Sequence, residues 1–377
     1  MKIRYTQPSL TEKGLEYMRE VATSGRVSGN GAYTQRCQKW LEQTLGARKV
    51  LLTHSCTAAL EMGAILSNVG PGDEVIMPSF TFVSTANAFV LRGATPVFVD
   101  VDPVNLNMQP ETVAAAVTKK TKAIAPVHYA GVPCRMDEIV EVAKSCKATV
   151  VEDAAQTLLS TYKGRHAGTF GQCGAISFHE TKNVVSGEGG ALVVNDPALI
   201  ERAEIIWEKG TNRTKFYRGE VDKYTWVDVG SSFLPSELIA AYLYSQLESS
   251  RDLTERRLRI WNLYQQKLQP LFQDGLLQSP RIPADVVHNG HIFFVLTQDA
   301  DTARRLLAQM KEQGIGGVHH YVPLHSAPAG RRYGRTHGTL SHTESLADRL
   351  VRLPVWSDMT PAMADEVVTL LFRFFGR

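Results

Sequence analysis

Three short segments carry residue types suited to covalent and electrostatic chemistry. In SFHETKNVVSGEGG, residues 177–190, Lys182 lies in a polar turn just beyond a strand-like run and before a glycine-rich bend. An amine held against apolar surroundings loses part of the solvation that keeps it charged, and a neutral amine can form a Schiff base with a carbonyl. In VVEDAAQ, residues 150–156, a β-branched run ends on Glu152 and Asp153. Open α/β sheets bind ligands outside the carboxyl ends of their strands, which is where Asp153 falls. In HSCTAALEMGAIL, residues 54–66, small hydroxyl residues stand directly before an apolar-periodic helix. Free N–H groups and the positive end of a helix dipole meet there, and Ser55 and Thr57 add hydroxyls that suit a phosphate. Each segment also has a plain reading: an N-cap at Ser55 or Thr57, a cap or turn acid at Asp153, a solvated lysine at 182.

The elements that must position these residues are legible as a pattern. From Lys49 to about Asn195, short apolar runs (KVLLT, DEVIMPS, TPVFVDV, AIAPVHY, ATVVED, GAISF, GALVVN) alternate with helical segments at Cys56 to Asn68, Phe82 to Arg92, Pro110 to Val117 and Met136 to Cys146. This alternation predicts a mostly parallel sheet with helices on both faces. Pro197 to Lys209 reads as a surface helix, and Pro235 to about Leu271 as one long helix linking two domains. Strand-like HIFFVLT, a helix opened by Asp301, strand-like VHHYV and a closing helix from Ala362 to Phe375 then predict a smaller α+β unit. The turn-rich stretch Ala327 to Ser345 reads as a loop. The expected division is a large α/β domain, with the N-terminal segment, over 1–245 and a small α+β domain over 246–377.

Composition narrows the function classes. A chain of 377 residues is too long for one ordinary core, which favours two domains. A formal charge of only +3, with no basic run interleaved with aromatics, argues against nucleic-acid binding. No apolar run approaches a membrane span and the opening residues do not resemble a secretion signal, so a cytoplasmic location is expected. Five cysteines without a CxxC pair fit reduced thiols better than a disulfide framework.

The order of the three segments changes their meaning. A phosphate-cup candidate, an acid at a strand end about a hundred residues later and a lysine some thirty residues beyond resemble the large domain of the fold-type I pyridoxal-phosphate (PLP) enzymes. Within these, GVPCRMDEI after PVHYA, then VVEDAAQ, then SFHETKN with GEGG, resemble the sugar aminotransferases of the DegT/DnrJ/EryC1/StrS family across nearly the whole chain. The resemblance implies that Lys182 holds PLP as a Schiff base and that Asp153 partners the pyridinium nitrogen. It puts Phe82 on the face of the ring, Gln156 near the ring hydroxyl, and Ser55, Cys56 and Thr57 around the phosphate with Ser177. Cys56 replaces the Gly or Ala common in the family. The implied reaction moves an amino group from L-glutamate to C4 of a dTDP-linked 4-keto-6-deoxyhexose. Two rivals are amination of another UDP-, GDP- or dTDP-linked keto sugar and PLP-dependent dehydration of a sugar nucleotide, although dehydrating relatives carry histidine where Lys182 stands. A regulatory module on the same fold is a third reading, without support in the sequence.

The resemblance also implies a homodimer with a shared active site. Many relatives send an Asn from the neighbouring subunit to the phosphate, but the segment here is GSSFLPSEL, in which Leu234 cannot make that contact and Ser231 or Ser232 is the substitute. For the substrate, the glycine loop of SGRVSGNGAYTQ contributes Gly31, HHYVPLHSAP contributes His325, and KGTNRTK contributes Arg213 and Lys215 against diphosphate charge. Alternatively these are a capped surface helix and a solvated loop. His319, His320 and His325 lack an acidic or thiol companion at ligand spacing, so no metal is expected.

Overall fold

The computed structural model describes residues 2–377. The buried apolar runs form strands β1 (Lys49–Thr53), β2 (Glu74–Pro78), β3 (Thr95–Val99), β4 (Thr121–Ile124) and β5 (Thr149–Asp153). A small hairpin, β6 (Thr161–Tyr162) and β7 (Arg165–His166), precedes β8 (Cys173–Ser177) and β9 (Gly190–Val194). Later come β10 (Leu277–Gln278), β11 (Val286–Val287), β12 (Phe293–Thr297), β13 (Arg335–Thr336) and β14 (Leu350–Leu353). Eight strands make the main sheet in the order β1-β9-β8-β5-β4-β2-β3-β13. All run in one direction except β9, which is antiparallel to both its neighbours. The chain therefore delivers the ends of β1, β2, β5 and β8 to the same edge of the sheet.

Residues on β2, β8 and β9 are buried throughout, because helices cover both faces. The helix Cys56–Leu66 fills one side, with Leu60, Met62 and Ala64 in the same core as Val75, Val151 and Leu192. On the other face, Leu41, Leu45 and Leu243 pack against Val50, Ile176 and Val193. Burying apolar side chains on both faces stabilises a parallel sheet whose strands lack the polar alternation of a solvated face.

The C-terminal unit places β10, β12 and β14 in an antiparallel sheet backed by Ala300–Glu312 and Pro361–Phe374. Ile3 is buried in this core beside Ile260 and Ile315, so the opening residues, expected with the large unit, pack with the small one. The long helix expected over 235–271 is broken at Ser249 into Glu237–Glu248 and Ser250–Lys267. The helix expected to open at Asp301 is capped by Asp299, whose carboxylate accepts from Thr302 N–H at 2.7 Å. The expected strand VHHYV reduces to one bridge, Val318 with Arg352. The stretch 327–345, expected as a loop, contains the helix Pro328–Tyr333, β13 at the edge of the main sheet and the start of Ser341–Arg349. Its turn composition hid these elements because each is short, and β13 gains its order by pairing with β3. No described helix is long and apolar enough to cross a membrane.

Candidate active site

The phosphate-cup candidate begins where β1 ends. Ser55 caps Cys56–Leu66, its hydroxyl accepting from Ala58 N–H at 3.1 Å, and Thr57 shares a 2.8 Å hydrogen bond with Ser84. This bend lies against Gly190 of β9: a Cβ there would come within 2.4 Å of Cys56 N and 2.5 Å of the Ser55 carbonyl carbon. The last glycine of GEGG thus lets the helix terminus sit against the sheet. Gly187 has a different task, adopting φ +80 in the turn after Lys182.

Asp153 ends β5 and is buried. One carboxylate oxygen accepts from Thr85 Oγ1 at 2.6 Å and the other from Ala155 N–H at 3.1 Å. Thr85 lies one turn into the helix Val83–Val90 and is itself bonded to Thr81 at 2.9 Å. The residue before that helix, Phe82, leaves 56% of its surface exposed although it is a large aromatic, with its ring 6.4 Å from that of Tyr321. An apolar ring left open in this way is what a planar heteroaromatic ligand needs on one face.

Lys182 follows β8 in a turn closed by its own N–H to His179 O at 2.9 Å. The residue keeps some access to the surface, but its amine lies deep in the protein. Desolvation holds its pKa below that of an ordinary lysine against the opposing pull of Cys56 and Asp153, and the Arg352 charge acts in the same direction as burial. Burial raises the Cys56 thiol well above its usual range, so that sulfur stays protonated beside the amine. The next residue, Asn183, donates to Asn289 O at 2.8 Å and meets His291 Nδ1 at 2.9 Å. His291 is driven to its neutral form, with burial the first cause and the Lys182 charge the next.

Gln156 is fixed on both sides: its carbonyl oxygen accepts from Ala130 N–H at 2.7 Å and its amide donates to the Tyr321 hydroxyl at 3.0 Å. Gln156, Ser177, Lys182, Asn183 and His291 line one cavity. The Ser177 hydroxyl accepts from His179 N–H at 3.3 Å.

The other expected residues are placed less uniformly. His325 joins the C-terminal end of β2, sharing a 2.7 Å hydrogen bond with Ser79 and another with Glu344 at 3.2 Å. Gly31 starts the helix Ala32–Leu45, but its N–H is already donated to Glu237 at 2.9 Å, as are Tyr33 and Thr34 N–H. A buried carboxylate there neutralises the positive end of the helix from within the chain. Arg213 sits on the arm 211–232, bonded to the Tyr217 hydroxyl at 2.8 Å and stacked over Tyr224, with no contact to the Lys182 cavity. Lys215 pairs with Glu201 at 2.6 Å. Ser231 and Ser232 are exposed, whereas Leu234 packs against the core. Among the described residues no group of three or more His, Cys, Asp or Glu is arranged to hold a metal.

Sequence reading missed Thr85, Asn183, Asn289, His291 and Tyr321. Only Thr85 had a local signal, one helical turn after Phe82. Asn289 donates to the Gln156 and Leu158 carbonyls from across the chain, a relation no spacing reveals.

The donor set fits PLP. A helix terminus with hydroxyls could take the phosphate, an open aromatic face the ring, a buried acceptor the ring nitrogen and a desolvated amine the aldehyde. The chain matches the model of the DegT/DnrJ/EryC1/StrS aminotransferase family over residues 8–372. It is 32% identical over 372 residues to the spore coat polysaccharide biosynthesis protein SpsC of Bacillus subtilis, covering 97% of this chain and 95% of that one. Among solved structures it superposes on the aminotransferase TlmJ from Streptoalloteichus hindustanus with a TM-score of 0.91, 31% identity and 99% of both chains covered. The S. venezuelae protein DesV, solved in complex with a ketimine intermediate, gives a TM-score of 0.87 at 28% identity, again over 99% of both chains. The chain belongs to the DegT/DnrJ/EryC1/StrS aminotransferase family and is a PLP-dependent sugar aminotransferase.

Proposed function

We propose that the enzyme transfers the amino group of L-glutamate to C4 of dTDP-4-keto-6-deoxy-D-glucose, giving dTDP-4-amino-4,6-dideoxy-D-galactose for a cell-surface polysaccharide such as enterobacterial common antigen or O-antigen. The observation that carries amination is the desolvated amine of Lys182 in one cavity with Gln156 and Ser177, near the buried Asp153. The likeness to a spore coat polysaccharide protein supports a cell-surface sugar. The choice of dTDP and C4 rests on PGDEVIMPSFTFVSTANAFVLRGA and EKGTNR with VDKYTW, which resemble the dTDP-4-amino-4,6-dideoxygalactose transaminases.

When bound, PLP supplies an electron-poor ring that accepts the electrons released as a proton leaves the amino-bearing carbon. In this reading Asp153, oriented by Thr85, would accept a hydrogen bond from the ring nitrogen and so favour a proton there. Gln156, clamped by Ala130 and Tyr321, would meet the ring hydroxyl, and Phe82 would cover one face. Ser55, Cys56, Thr57 and Ser177 would hold the phosphate through hydroxyls and backbone N–H groups. Lys182 would hold the cofactor through its aldehyde and, with its amine free, would take the proton from the donor carbon and later deliver one to the sugar carbon; the neutral form favoured by its surroundings is the form that can accept it. A dehydrating enzyme dispenses with that lysine, so Lys182 argues for amination.

The arm 211–232 supports a homodimer. It exposes Trp226 at 79%, Tyr217 at 61% and Tyr224 at 50%, more aromatic surface than an isolated arm keeps in water. In a dimer it would bring Arg213 and Ser231 or Ser232 to the neighbouring cavity, with Gly31 and His325 at the substrate side. A cytoplasmic location agrees with a nucleotide-sugar substrate.

The test is amino transfer by the PLP-loaded enzyme from L-glutamate to dTDP-, UDP- and GDP-linked 4-keto-6-deoxy sugars and to a 3-keto sugar nucleotide. Formation of 2-oxoglutarate and the 4-amino-4,6-dideoxygalactose product, fastest with the dTDP sugar, is expected. Far better amination of a UDP-linked or 3-keto substrate overturns the substrate assignment, and release of a deoxygenated keto sugar without net amination overturns the reaction.

A further inference from the structure

Glu152 and His128 are fully buried, and the site as described leaves both unused. Glu152 is the first acid of VVEDAAQ, and because side chains alternate along a strand it leaves β5 on the face opposite Asp153. Its carboxylate accepts from the N–H groups of Gly168 at 2.8 Å, Phe170 at 2.6 Å and Gly171 at 2.7 Å, and meets His128 Nε2 at 3.0 Å. The other ring nitrogen, Nδ1, lies 3.1 Å from the Cys134 N–H. A backbone N–H can only donate, so Nδ1 is the acceptor and Nε2 carries the hydrogen given to Glu152. Apolar residues of similar size would hold a strand as firmly as a buried polar pair does; what they could not do is direct peptide groups. The pair closes the loop 128–134. His128 N–H donates to Asp153 O at 3.1 Å, Asp153 N–H donates to Pro126 O at 2.8 Å, and the imidazole reaches across the loop to Cys134. Inside the loop Asn107 accepts from Tyr129 N–H and donates to Val132 O, each at 2.9 Å, and Ser160 donates to Gly131 O at 2.8 Å. At its centre Ala130 has φ +57, a left-handed conformation that a residue with a Cβ adopts only at a cost. The N–H of that strained residue is the one given to Gln156 Oε1 at 2.7 Å. This bond fixes which end of the Gln156 amide is the oxygen and leaves the nitrogen to face Tyr321.

We propose that Glu152 and His128 are positioning residues for the polar edge of the cofactor: they hold the loop 128–134 in the conformation that aims the Gln156 amide at the ring hydroxyl, and they keep the end of β5 in place for Asp153. The Gln156 half rests on the reading above that this amide meets the ring hydroxyl; the Asp153 half does not. Neither residue touches the cofactor. Their effect passes through the Ala130 N–H on one side and the backbone bonds of Asp153 on the other, and the strain at Ala130 is offset by the bonds that clamp the loop on either side of it.

The test reads the pH at which the visible absorbance of bound PLP changes, in the PLP-loaded wild type and in Glu152→Gln, His128→Leu, His128→Gln and Gln156→Ala. A donor at the ring oxygen favours the form that has lost a proton, so losing it moves the midpoint upward, by about 0.5–1 pH unit for one hydrogen bond. Glu152→Gln and His128→Leu should each show this shift, and neither should add much to the shift of Gln156→Ala when combined with it, because the changes act on one network. His128→Gln, whose amide can still donate to Glu152, should recover part of the loss. Val151→Ala, which removes only apolar packing from the same strand, should lower Tm without moving the midpoint, and so separates positioning from stability. In the wild type, amide exchange across 128–134 should be equally slow with and without PLP, since the pair and not the cofactor holds the loop; this measurement decides the matter if the variants fail to fold. An unmoved midpoint in folded Glu152→Gln and His128→Leu, or a loop protected only once PLP is bound, overturns the positioning role. A shift in Glu152→Gln with none in Gln156→Ala overturns the placing of Gln156 at the ring hydroxyl and leaves the pair acting through Asp153.

Discussion

Lys182 is ordinary in composition and altered only by its surroundings. In the folded chain its charged form is disfavoured, so folding releases a proton that the unfolded chain retains up to about pH 10.4. Through this residue, stability therefore rises with pH between the lowered folded value and that limit, and the cost of the buried charge is fully present only below the folded value. The same shift predicts that capture of the PLP aldehyde by cofactor-free protein reaches its plateau at a lower pH than capture by an exposed lysine. Stopped-flow absorbance across pH measures this; a profile matching that of a free lysine side chain would show that burial leaves the amine unperturbed. Asp153→Asn should bind PLP yet lose most activity, since a neutral amide no longer favours a protonated ring nitrogen. Near-normal single-turnover rates in that variant would remove Asp153 from the role. Phe82→Ala should weaken PLP retention several-fold, the effect of losing a stacking contribution on the order of 1 kcal/mol. Because the ring is largely exposed, melting should barely change; a large drop in Tm with unchanged PLP affinity would make Phe82 a packing residue.

At the scale of elements, the proposed phosphate cup depends on the junction between β1, β9 and the helix Cys56–Leu66. Gly190 sets how near that helix terminus comes, and a methyl group there must push Ser55 and Cys56 away. Gly190→Ala is expected to cost roughly 1–3 kcal/mol by overpacking and to lower PLP affinity at the same time. Denaturant unfolding and a cofactor titration measure the two effects. A stable variant with wild-type PLP affinity would mean that the junction has slack which the close approach of these backbones does not suggest. The cap at Glu237 shows the same economy: one buried carboxylate satisfies three N–H groups of a helix distant in sequence.

For the whole molecule, the parallel order of the sheet gathers β1, β2, β5 and β8 at one edge, and the C-terminal unit closes over it with Tyr321, His325 and Arg352. The exposed aromatics of the arm 211–232 predict that two chains associate. Replacing Tyr224 and Trp226 together by Ser should shift sedimentation toward the monomer and reduce activity with it, while leaving each chain folded. A variant that remains a fully active dimer would place the interface elsewhere.

The sequence by itself determined the alternating architecture, because buried parallel strands must be continuous apolar runs and the helices between them must be amphipathic. It also marked Ser55, Asp153 and Lys182, since each stands at the end of such a run, and the family resemblance joined them into one chemistry. Tertiary structure alone decided which partners orient them. Thr85 reaches Asp153, Asn289 braces Gln156, Tyr321 meets Gln156, and Arg257 and Arg352 converge beside Thr181 from separate elements. These relations join residues from about seventy to about 170 positions apart, and contacts at such separations follow from how sheets and helices pack, which local periodicity does not encode. The stretch 327–345 failed for the same reason: β13 is a strand only because the edge of β3 is there to pair with it.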